Sequence, residues 1–421
     1  MRVKGFRNIM RAALLGGLSL AVANTAAALP LGEAISRFQG QFSDEMRQAG
    51  APGAAWVIVE GDRVAGMGTW GIKAQGSPER VTENTVFRLA SVSKTFAASL
   101  TTILVNEGRI SLDAPVAGYV PAFQTKYAST KSALTLRDVL SHQTGYVHNA
   151  YDGMIEGGRT LDQILPYFGT LKPNCKPGTC YGYQNVLFSI VEPVVEKSTG
   201  NPYEKLIRDR LFMPLGMNTA SVGYDGYLQS PDKASPHVLI KKRTYRKTRV
   251  KDTYYHFNPA AGVNASITDM SKWLSAQLGT RPDVLPDGPI SMMTKKEVRT
   301  LREMSKRRWR PYLTNAHYGL GWRIYDFGDD TLVYHYGAVE GFRALVAYSK
   351  SRNVGISILT NGGSNEIDEL NVAFWAALQA NEVADATPIP VKQKAVIKVA
   401  AAAPAKSRFP AVLPKAKPAR P

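Results

Sequence analysis

Ser91 and Lys94 are the residues of this sequence whose types and spacing best fit covalent catalysis. Residues three positions apart on a helix lie on the same face, so the amine of Lys94 would be within reach of the Ser91 hydroxyl. A serine nucleophile needs a base, and a lysine serves as one when burial and cationic neighbours lower its pKa. The start of a helix also stabilises negative charge on the serine oxygen or on an oxyanion. The pattern therefore predicts a nucleophilic serine with a lysine base.

The Ser-x-x-Lys spacing is not specific by itself, because Ser230-Pro231-Asp232-Lys233 matches it too. There the proline breaks the helix that would align the two side chains. An ordinary solvated helix turn is the alternative for any isolated pair of this kind. The sequence contains no Gly-x-Ser-x-Gly, Gly-Lys-[Ser/Thr] or His-Glu-x-x-His motif, which excludes the chemistries that those motifs carry.

Two further motifs give Ser91 and Lys94 a context. Tyr183-Gln184-Asn185 is the only Tyr-x-Asn of the chain, and His335-Tyr336-Gly337-Ala338 is followed by Gly341-Phe342-Arg343. In this order the motifs resemble the serine β-lactamase and D-alanyl-D-alanine peptidase superfamily, specifically its class C and DD-peptidase-like branch. Four shorter phrases of that superfamily extend the resemblance over most of the chain: Leu140-Ser141-His142-Gln143-Thr144-Gly145, Pro214-Leu215-Gly216-Met217, Pro259-Ala260-Ala261-Gly262 and Tyr318-Gly319-Leu320-Gly321-Trp322.

The resemblance implies a role for each motif residue. Ser91 would attack a carbonyl carbon and form an acyl-enzyme, while Lys94 and Tyr183 would share the general base and then protonate the leaving group. Asn185 would hydrogen-bond Lys94 and the substrate amide. The oxyanion would be bound beside Gly337, by the backbone N–H groups of Ser91 and Ala338.

His335 is the main departure from the motifs of the superfamily, because it replaces the lysine of a Lys-Thr-Gly motif. A histidine titrates near pH ~6.5, so its positive field at neutral pH is weaker than that of a lysine. We expect a charged His335 to support acylation less as the pH rises through this titration. The variant favours DD-peptidases and esterase-like members over dedicated β-lactamases. His317-Tyr318-Gly319 is an alternative match, set aside because the Gly-Leu-Gly-Trp turn follows it.

Two other polar residues have open interpretations. Arg343 could bind a terminal carboxylate of the substrate through both of its Nη groups, or it could face solvent at an alternating strand position. His142 is interpreted as a structural residue rather than a base, because the phrase that contains it packs a helix end in the superfamily.

Cys175 and Cys180 are the only cysteines. In an exported protein such a pair favours a disulfide, because a zinc site would need further ligands. The loop that they close ends three residues before Tyr183, which suggests the hypothesis that it fixes the segment carrying Tyr183 and Asn185. The sequence predicts no metal and no cofactor.

Length, composition and charge describe a secreted globular protein. The chain has 421 residues, 44% hydrophobic and 20% charged, with a net charge of +18. The first eleven residues carry four of the basic side chains and the segment after Asp385 carries eight, without any acid in either, which leaves +6 for the body. This distribution argues against a nucleic-acid partner. Residues 1–28 have the basic, apolar and small-residue pattern of a cleaved signal peptide, so we expect a periplasmic or secreted protein without a transmembrane helix after cleavage.

The other chain end predicts a disordered tail. Residues 386–421 are rich in Ala, Pro and Lys and cannot bury enough apolar surface to fold. The alternative is a tether that holds peptidoglycan or another anionic surface through its positive charges.

Between these ends the elements predict one α+β domain over residues 29–385. Strands near both chain ends form an antiparallel sheet flanked by helices, in a lobe of residues 29–115 and 316–385. A mainly helical lobe of residues 116–315 is inserted, with an exposed basic segment at 241–251. The predicted helices span 31–46, 91–108, 295–310 and 365–378, and the predicted strands span 54–60, 63–70, 322–325, 331–335, 342–349 and 354–359.

The sequence thus predicts an exported serine hydrolase that works through an acyl-serine on D-Ala-D-Ala-type cell-wall peptides. An esterase or a weak class C-like β-lactamase on the same scaffold is the alternative within this chemistry. A second alternative is a non-catalytic cell-wall binding protein, against which the intact Ser91, Lys94 and Tyr183 argue.

Overall fold

A computed structural model of the chain describes residues 28–363 and 366–379. The predicted signal peptide (apart from Ala28) and the predicted tail lie outside the described residues, as does the end of the predicted domain. The expected boundaries of the domain and of its two lobes therefore stay predictions.

The strands confirm the predicted antiparallel sheet. They are β1 (Gly53–Glu60), β2 (Arg63–Gly71), β3 (Phe87–Arg88), β4 (Ser221–Val222), β5 (His237–Lys241), β6 (Thr244–Lys247), β7 (Val263–Ala265), β8 (Val298–Arg299), β9 (Leu313–Tyr318), β10 (Arg323–Phe327), β11 (Asp330–Val339), β12 (Phe342–Ser349) and β13 (Val354–Thr360). The main sheet has eight strands in the order β2-β1-β13-β12-β11-β10-β9-β8, all antiparallel. Strands from both chain ends meet where β1 pairs with β13, with Ala54 opposite Thr360.

The helices are α1 (Leu31–Ala49), α2 (Ser93–Asn106), α3 (Ala128–Ala133), α4 (Leu136–Leu140), α5 (Asp152–Glu156), α6 (Leu161–Ile164), α7 (Val191–Thr199), α8 (Tyr203–Ile207), α9 (Met213–Leu215), α10 (Gly223–Gln229), α11 (Asn258–Ala261), α12 (Ile267–Gln277), α13 (Asp287–Thr294), α14 (Leu301–Met304) and α15 (Glu366–Ala377). Most of them lie between β3 and β9, as the sequence predicts. Within residues 28–363 and 366–379, no helix is both long and apolar enough to cross a membrane.

Apolar side chains cover both faces of the main sheet. On one face α1 packs against β1 and α15, and α15 packs against β12 and β13; the ring of Phe38 lies 5.1 Å from Trp56 and 5.8 Å from Phe374. On the other face α12 packs against α2, where Trp273 stacks on Phe96 with ring centroids 3.9 Å apart. Strand β13 is buried on both faces, which explains its continuous apolar sequence. The sheet is therefore a rigid base for α2, which begins beside Ser91.

The two basic segments, 295–310 and 241–251, differ in how well the sequence predicted their structure. The predicted helix over 295–310 is wrong: this segment contains only the short strand β8 and the single turn α14, because pairing with β9 takes β8 into the sheet. The basic segment 241–251 is mostly exposed, as expected. It begins in the hairpin of β5 and β6.

Candidate active site

Ser91 lies in a tight turn between β3 and α2. The turn is a 3-10 helix over Ala90–Val92, and α2 begins only at Ser93, so the prediction of an α-helix starting at Ser91 is wrong by two residues. Ala90 has a φ of 48°, a left-handed conformation that costs an alanine roughly 1 kcal/mol or more. Ser91 remains partly exposed while both of its neighbours are buried. The turn thus holds one hydroxyl at the surface of an otherwise closed segment.

Gly337 lets β11 run directly against this turn. A Cβ atom at Gly337 would lie 2.2 Å from the carbonyl oxygen of Leu89 and 3.1 Å from the backbone nitrogen of Ser91, so a larger residue would push the strand away. The next residue, Ala338, is exposed and opposite Arg343 in β12. This contact brings Ser91 and Ala338 together, as their predicted share of an oxyanion hole requires.

Lys94 is fully buried and reaches three oxygen atoms. Its Nζ donates to Oδ1 of Asn185 at 2.7 Å and to the carbonyl oxygen of Ala260 at 3.0 Å, and it lies 3.3 Å from Oγ of Ser91. Asp152 extends the network, since its Oδ2 accepts from Nδ2 of Asn185 at 2.8 Å. That bond turns the amide oxygen of Asn185 toward Lys94. The sequence motifs did not point to Asp152, which begins the short helix α5.

Burial lowers the pKa of Lys94 well below its ordinary value, and the nearby Arg323 guanidinium lowers this pKa further, although the Asp152 carboxylate raises it. An amine whose pKa is lowered in this way can hold a free electron pair near neutral pH. Lys94 therefore meets both requirements of the predicted base, which are contact with the serine hydroxyl and a lowered pKa.

Tyr183 completes the group around Ser91. Burial raises the pKa of its phenol even though the nearby Arg323 and Ser91 act to lower it. Nζ of Lys94 lies 4.8 Å from the centre of its ring. A phenol that keeps its proton is suited to donate it. The two pKa shifts therefore favour Lys94 as the base and Tyr183 as the acid, instead of the predicted sharing of the base role.

His335 lies beside Tyr183 but as a neutral ring. It is fully buried, and its pKa is lowered well below the ordinary value by burial and then by the charges of Arg323 and Lys94. Its Nδ1 lies 3.1 Å from the carbonyl oxygen of Tyr336, so Nδ1 carries the proton, and Nε2 accepts from the Tyr318 hydroxyl at 3.0 Å. The expectation that His335 is charged and titrates near pH ~6.5 is therefore wrong, because its burial favours the neutral ring.

Arg323 supplies the positive charge that the sequence prediction had assigned to His335. Its guanidinium carbon lies 5.6 Å from the ring centre of Tyr183, and it forms an ion pair of 3.0 Å with Glu303. In the sheet Arg323 is opposite Tyr334, the neighbour of His335. The available sequence signal was an arginine directly after the Gly-Leu-Gly-Trp phrase at the start of a strand, but the strand register that aims it was not predictable.

Arg343 is held by the backbone around it. Its Nη1 donates to the carbonyl oxygens of Val339 and Phe342, at 2.9 and 2.8 Å, and its Nη2 donates to that of Gly363 at 2.9 Å. A two-pronged contact with a carboxylate, as predicted for this residue, would have to break these bonds. Its Nε is buried without a hydrogen-bond partner in the described part of the chain.

The two competing motif matches are built differently. Nζ of Lys233 donates to the backbone oxygen of Ser230 rather than approaching its hydroxyl, so this Ser-x-x-Lys has no serine–amine pair. His317 lies on β9 opposite Ile324 and Arg299, whereas the ring of His335 lies 6.5 Å from that of Tyr183. The structure therefore gathers the residues that were preferred from sequence.

The segment before Tyr183 is tied to a neighbouring loop. Cys175 and Cys180 form the predicted disulfide. The backbone N–H of Gly178 donates to Gln143 at 2.8 Å, and that of Gly182 donates to His142 at 2.9 Å. His142 is buried beneath Tyr183, with 4.3 Å between the ring centres. Its Nδ1 accepts from the backbone N–H of Gln184, the residue after Tyr183. These contacts agree with a structural role for His142.

Among the residues that the structure describes, no group of three or more His, Cys, Asp or Glu side chains is arranged to hold a metal ion.

Comparison with known proteins gives the context of this geometry. The Beta-lactamase family model matches residues 38–380. Penicillin-binding protein 4 of Amycolatopsis lactamdurans is 26% identical over 351 residues, covering 78% of this chain and 85% of that protein. The unguisins hydrolase of Aspergillus campestris is 24% identical over 324 residues, or 74% of this chain. The chain spans only 58% of the length of this fungal relative.

A solved structure confirms the fold. The octameric penicillin-binding protein homologue from Pyrococcus abyssi superposes with a TM-score of 0.71 at 21% identity, over 81% of this chain and 76% of that one. With the family model matched over most of its length, the chain belongs to the Beta-lactamase family.

Proposed function

We propose that this hydrolase is an exported DD-peptidase that cleaves D-Ala-D-Ala-type cell-wall peptides, with Ser91 as the nucleophile. The observation that carries the proposal is the contact of the buried Lys94 Nζ with the Ser91 Oγ, 3.3 Å away. A lysine that is buried, deprotonated and aligned with a serine is the arrangement that activates such a nucleophile.

The geometry supports the following sequence of proton transfers. Lys94 takes the proton of Ser91 as its Oγ attacks the substrate carbonyl, and the N–H groups of Ser91 and Ala338 bind the resulting oxyanion. The scissile bond then breaks as the phenol of Tyr183 protonates the leaving nitrogen, and Tyr183 regains a proton from Lys94. A water molecule attacks the acyl-enzyme in the same way, so that the acid product leaves and Ser91 recovers its proton.

Arg323, whose guanidinium carbon lies 5.6 Å from the centre of the Tyr183 ring, supports a substrate that ends in a carboxylate. Arg323 also lines a cavity of about 200 Å³ together with the basic Lys306 and Arg308 and the acidic Asp368. The leaving residue of a D-Ala-D-Ala peptide carries its carboxylate on that side of the scissile bond, next to the proton donor Tyr183. Arginine and lysine side chains are the usual partners of such a group. The resemblance to a penicillin-binding protein, 26% identical, supports the same substrate class.

Labelling with a fluorescent penicillin tests the nucleophile directly. We expect a stable covalent label on the mature protein and on Ser230→Ala, which carries the matched control serine, and none on Ser91→Ala. Retention of the label on a folded Ser91→Ala protein would refute the assignment of the nucleophile.

Turnover assays then test the substrate. Release of D-alanine from a diacetyl-L-Lys-D-Ala-D-Ala peptide, lost in Ser91→Ala, is the expected result. If Ser91 supports hydrolysis of p-nitrophenyl acetate or a cephalosporin but not of the peptide, the esterase or β-lactamase alternative replaces the DD-peptidase. If it supports none of these reactions, a binding protein replaces the enzyme proposed here.

The proposed location outside the cytoplasm is supported by the disulfide between Cys175 and Cys180, since such bonds persist in oxidising compartments. Fractionation of cells expressing the full chain would place the mature protein in the periplasm or medium, and an uncleaved cytoplasmic product would contradict this.

A further inference from the structure

A second cavity borders Ala338, whose backbone N–H is proposed to bind the oxyanion. It measures about 380 Å³ and its lining includes Arg88, Arg249, Lys251 and Arg343. Tyr183, the proposed proton donor to the leaving group, is not part of this lining. We therefore assign the cavity to the acyl side of the scissile bond.

Arg88 is a buried cation of this cavity with unused hydrogen-bond donors. Only 4% of the residue is exposed, and its Nε and Nη2 have no hydrogen-bond partner among the described residues. Its Nη1 makes one long bond of 3.4 Å to the carbonyl oxygen of Lys251, and its guanidinium covers the Tyr255 ring at 4.0 Å. A buried charge without an acidic partner is costly, so this side chain has a free-energy reason to bind an anion.

The other charges around the cavity leave it basic. Arg249 and Lys251 come from the exposed basic segment, and Lys251 is paired at 2.8 Å with Glu340, which also lines the cavity. Glu156 is a second acid of the lining. Four basic side chains thus face two acidic ones, of which one is already neutralised by Lys251.

We propose that this cavity is a subsite for a carboxylate on the acyl part of the substrate. This proposal rests on the proposed acyl-serine function of Ser91. The guanidinium of Arg88, which lines the cavity and has two nitrogens without a partner among the described residues, would turn toward the carboxylate and bind it with charge-assisted hydrogen bonds. Arg249 would add charge at the exposed rim. The volume suits a short chain that ends in an acid group.

Two esters that differ only in this charge test the subsite. The probes are p-nitrophenyl hydrogen adipate, whose acyl chain ends in a carboxylate, and p-nitrophenyl methyl adipate, in which that end is uncharged. We expect kcat/KM for the acid to exceed that for the methyl ester by about 10-fold or more, as for a hydrogen-bonded charge. Arg88→Gln should bring the ratio of the two kcat/KM values close to one.

Two more variants provide an independent check and a control for this test. Arg249→Glu changes an exposed residue and should lower the ratio even if Arg88→Gln does not fold. Arg246→Gln removes an exposed charge of the same basic segment outside the cavity lining and should leave the ratio unchanged. Equal ratios in the wild type and all variants, with turnover still dependent on Ser91, would overturn the subsite and leave the proposed function intact.

A binding measurement keeps the two proposals separate. Calorimetric titration of the Ser91→Ala protein with adipate needs no turnover, and we expect binding that an added Arg249→Glu substitution weakens. Loss of all Ser91-dependent turnover would refute the proposed function, while the titration would still decide the subsite. Absence of adipate binding to the Ser91→Ala protein would overturn the subsite.

Discussion

Two buried basic side chains flank Ser91 in sequence, and they differ in their hydrogen-bond partners. Lys94 follows the serine and is bonded to oxygens of Asn185 and Ala260 in addition to its contact with Ser91. Arg88 precedes the serine, with one long bond and two nitrogens that have no partner among the described residues. Protein acceptors surround the amine of Lys94, whereas part of the Arg88 guanidinium has no acceptor in the described part of the chain.

The difference follows from what each group can do with its proton. An amine can lose its charge on burial, and the pKa of Lys94 is lowered well below its usual value, so burial makes it a base. A guanidinium remains charged in proteins, so burial makes Arg88 a site that attracts an anion. Under the two proposals, burial of a basic side chain therefore gives a catalytic base in one case and an anion-binding group in the other.

Replacing Lys94 should have the largest effect on activity. We expect Lys94→Met to lower kcat for p-nitrophenyl acetate by about a thousandfold, within the range of general-base contributions, because no other amine contacts Ser91 in the described structure. The melting temperature should stay the same or rise, since methionine buries no amine. Stopped-flow acylation measures the first effect. Turnover comparable to that of the wild type in a folded Lys94→Met protein would show that Lys94 is not the general base.

Removing Asp152 should have the next largest effect. Asp152→Ala frees the amide of Asn185 to rotate away from Lys94, and a misplaced group of this kind costs up to about 100-fold in rate. We expect a loss of 10- to 100-fold in kcat with a smaller change in KM, measured with p-nitrophenyl acetate. Asp162→Ala, which removes an exposed acid of the neighbouring helix α6, is the matched control. Equal kcat in both variants would show that Asp152 does not position Asn185.

Arg323 should change the pH profile more than the maximum rate. Its charge lowers the pKa of Lys94, so its removal should raise this pKa and move the rising, acidic limb of kcat/KM to higher pH. The double variant Glu303→Gln/Arg323→Gln avoids leaving a buried acid unpaired. With neutral p-nitrophenyl acetate we expect up to about a tenfold loss on the acidic limb and little change on the plateau. An acidic limb that moves to lower pH would contradict the conclusion that the charge of Arg323 lowers the pKa of Lys94.

The buried histidines should affect stability at acid pH, which is the smallest effect expected. Burial lowers the pKa values of His142 and His335, so below pH ~6.5 the unfolded chain binds protons that the folded chain excludes. Stability is then complete above that pH and falls below it, by up to about 1.4 kcal/mol per pH unit for each ring. Urea unfolding at three pH values should give a shallower slope for His335→Gln. An unchanged slope would mean that His335 titrates normally.

Sequence motifs predicted the site to the extent that its residues are consecutive. Ser91 and Lys94 lie one turn apart, and Tyr183 and Asn185 share a short segment, so two local motifs taken together in chain order selected them. Asp152 escaped prediction because its contact with Asn185 joins two segments that are separate in sequence. Arg323 escaped because its direction depends on the register of β10 against β11.

The fold shows the same division between local and distant information. The hairpin of β1 and β2 and the strand β12 lie close to their predicted positions because turn residues and apolar alternation mark them. Residues 295–310 were predicted as helix from local composition, but pairing with β9 decided their structure. The charge of His335 was predicted wrongly because its complete burial cannot be derived from a motif.

The pairing of β1 with β13 has a consequence for how the molecule is made. The Thr360 hydroxyl donates to the Gly53 carbonyl oxygen across a sequence separation of 307 residues. Contacts of such high order close slowly and late in folding. The ribosome completes Ser91 and its helix long before it reaches the strand that holds Ala338 in place. Until that last part of the sheet is added, the nascent chain carries Ser91 and Lys94 without Ala338 beside them, so the proposed oxyanion hole forms only with the complete sheet.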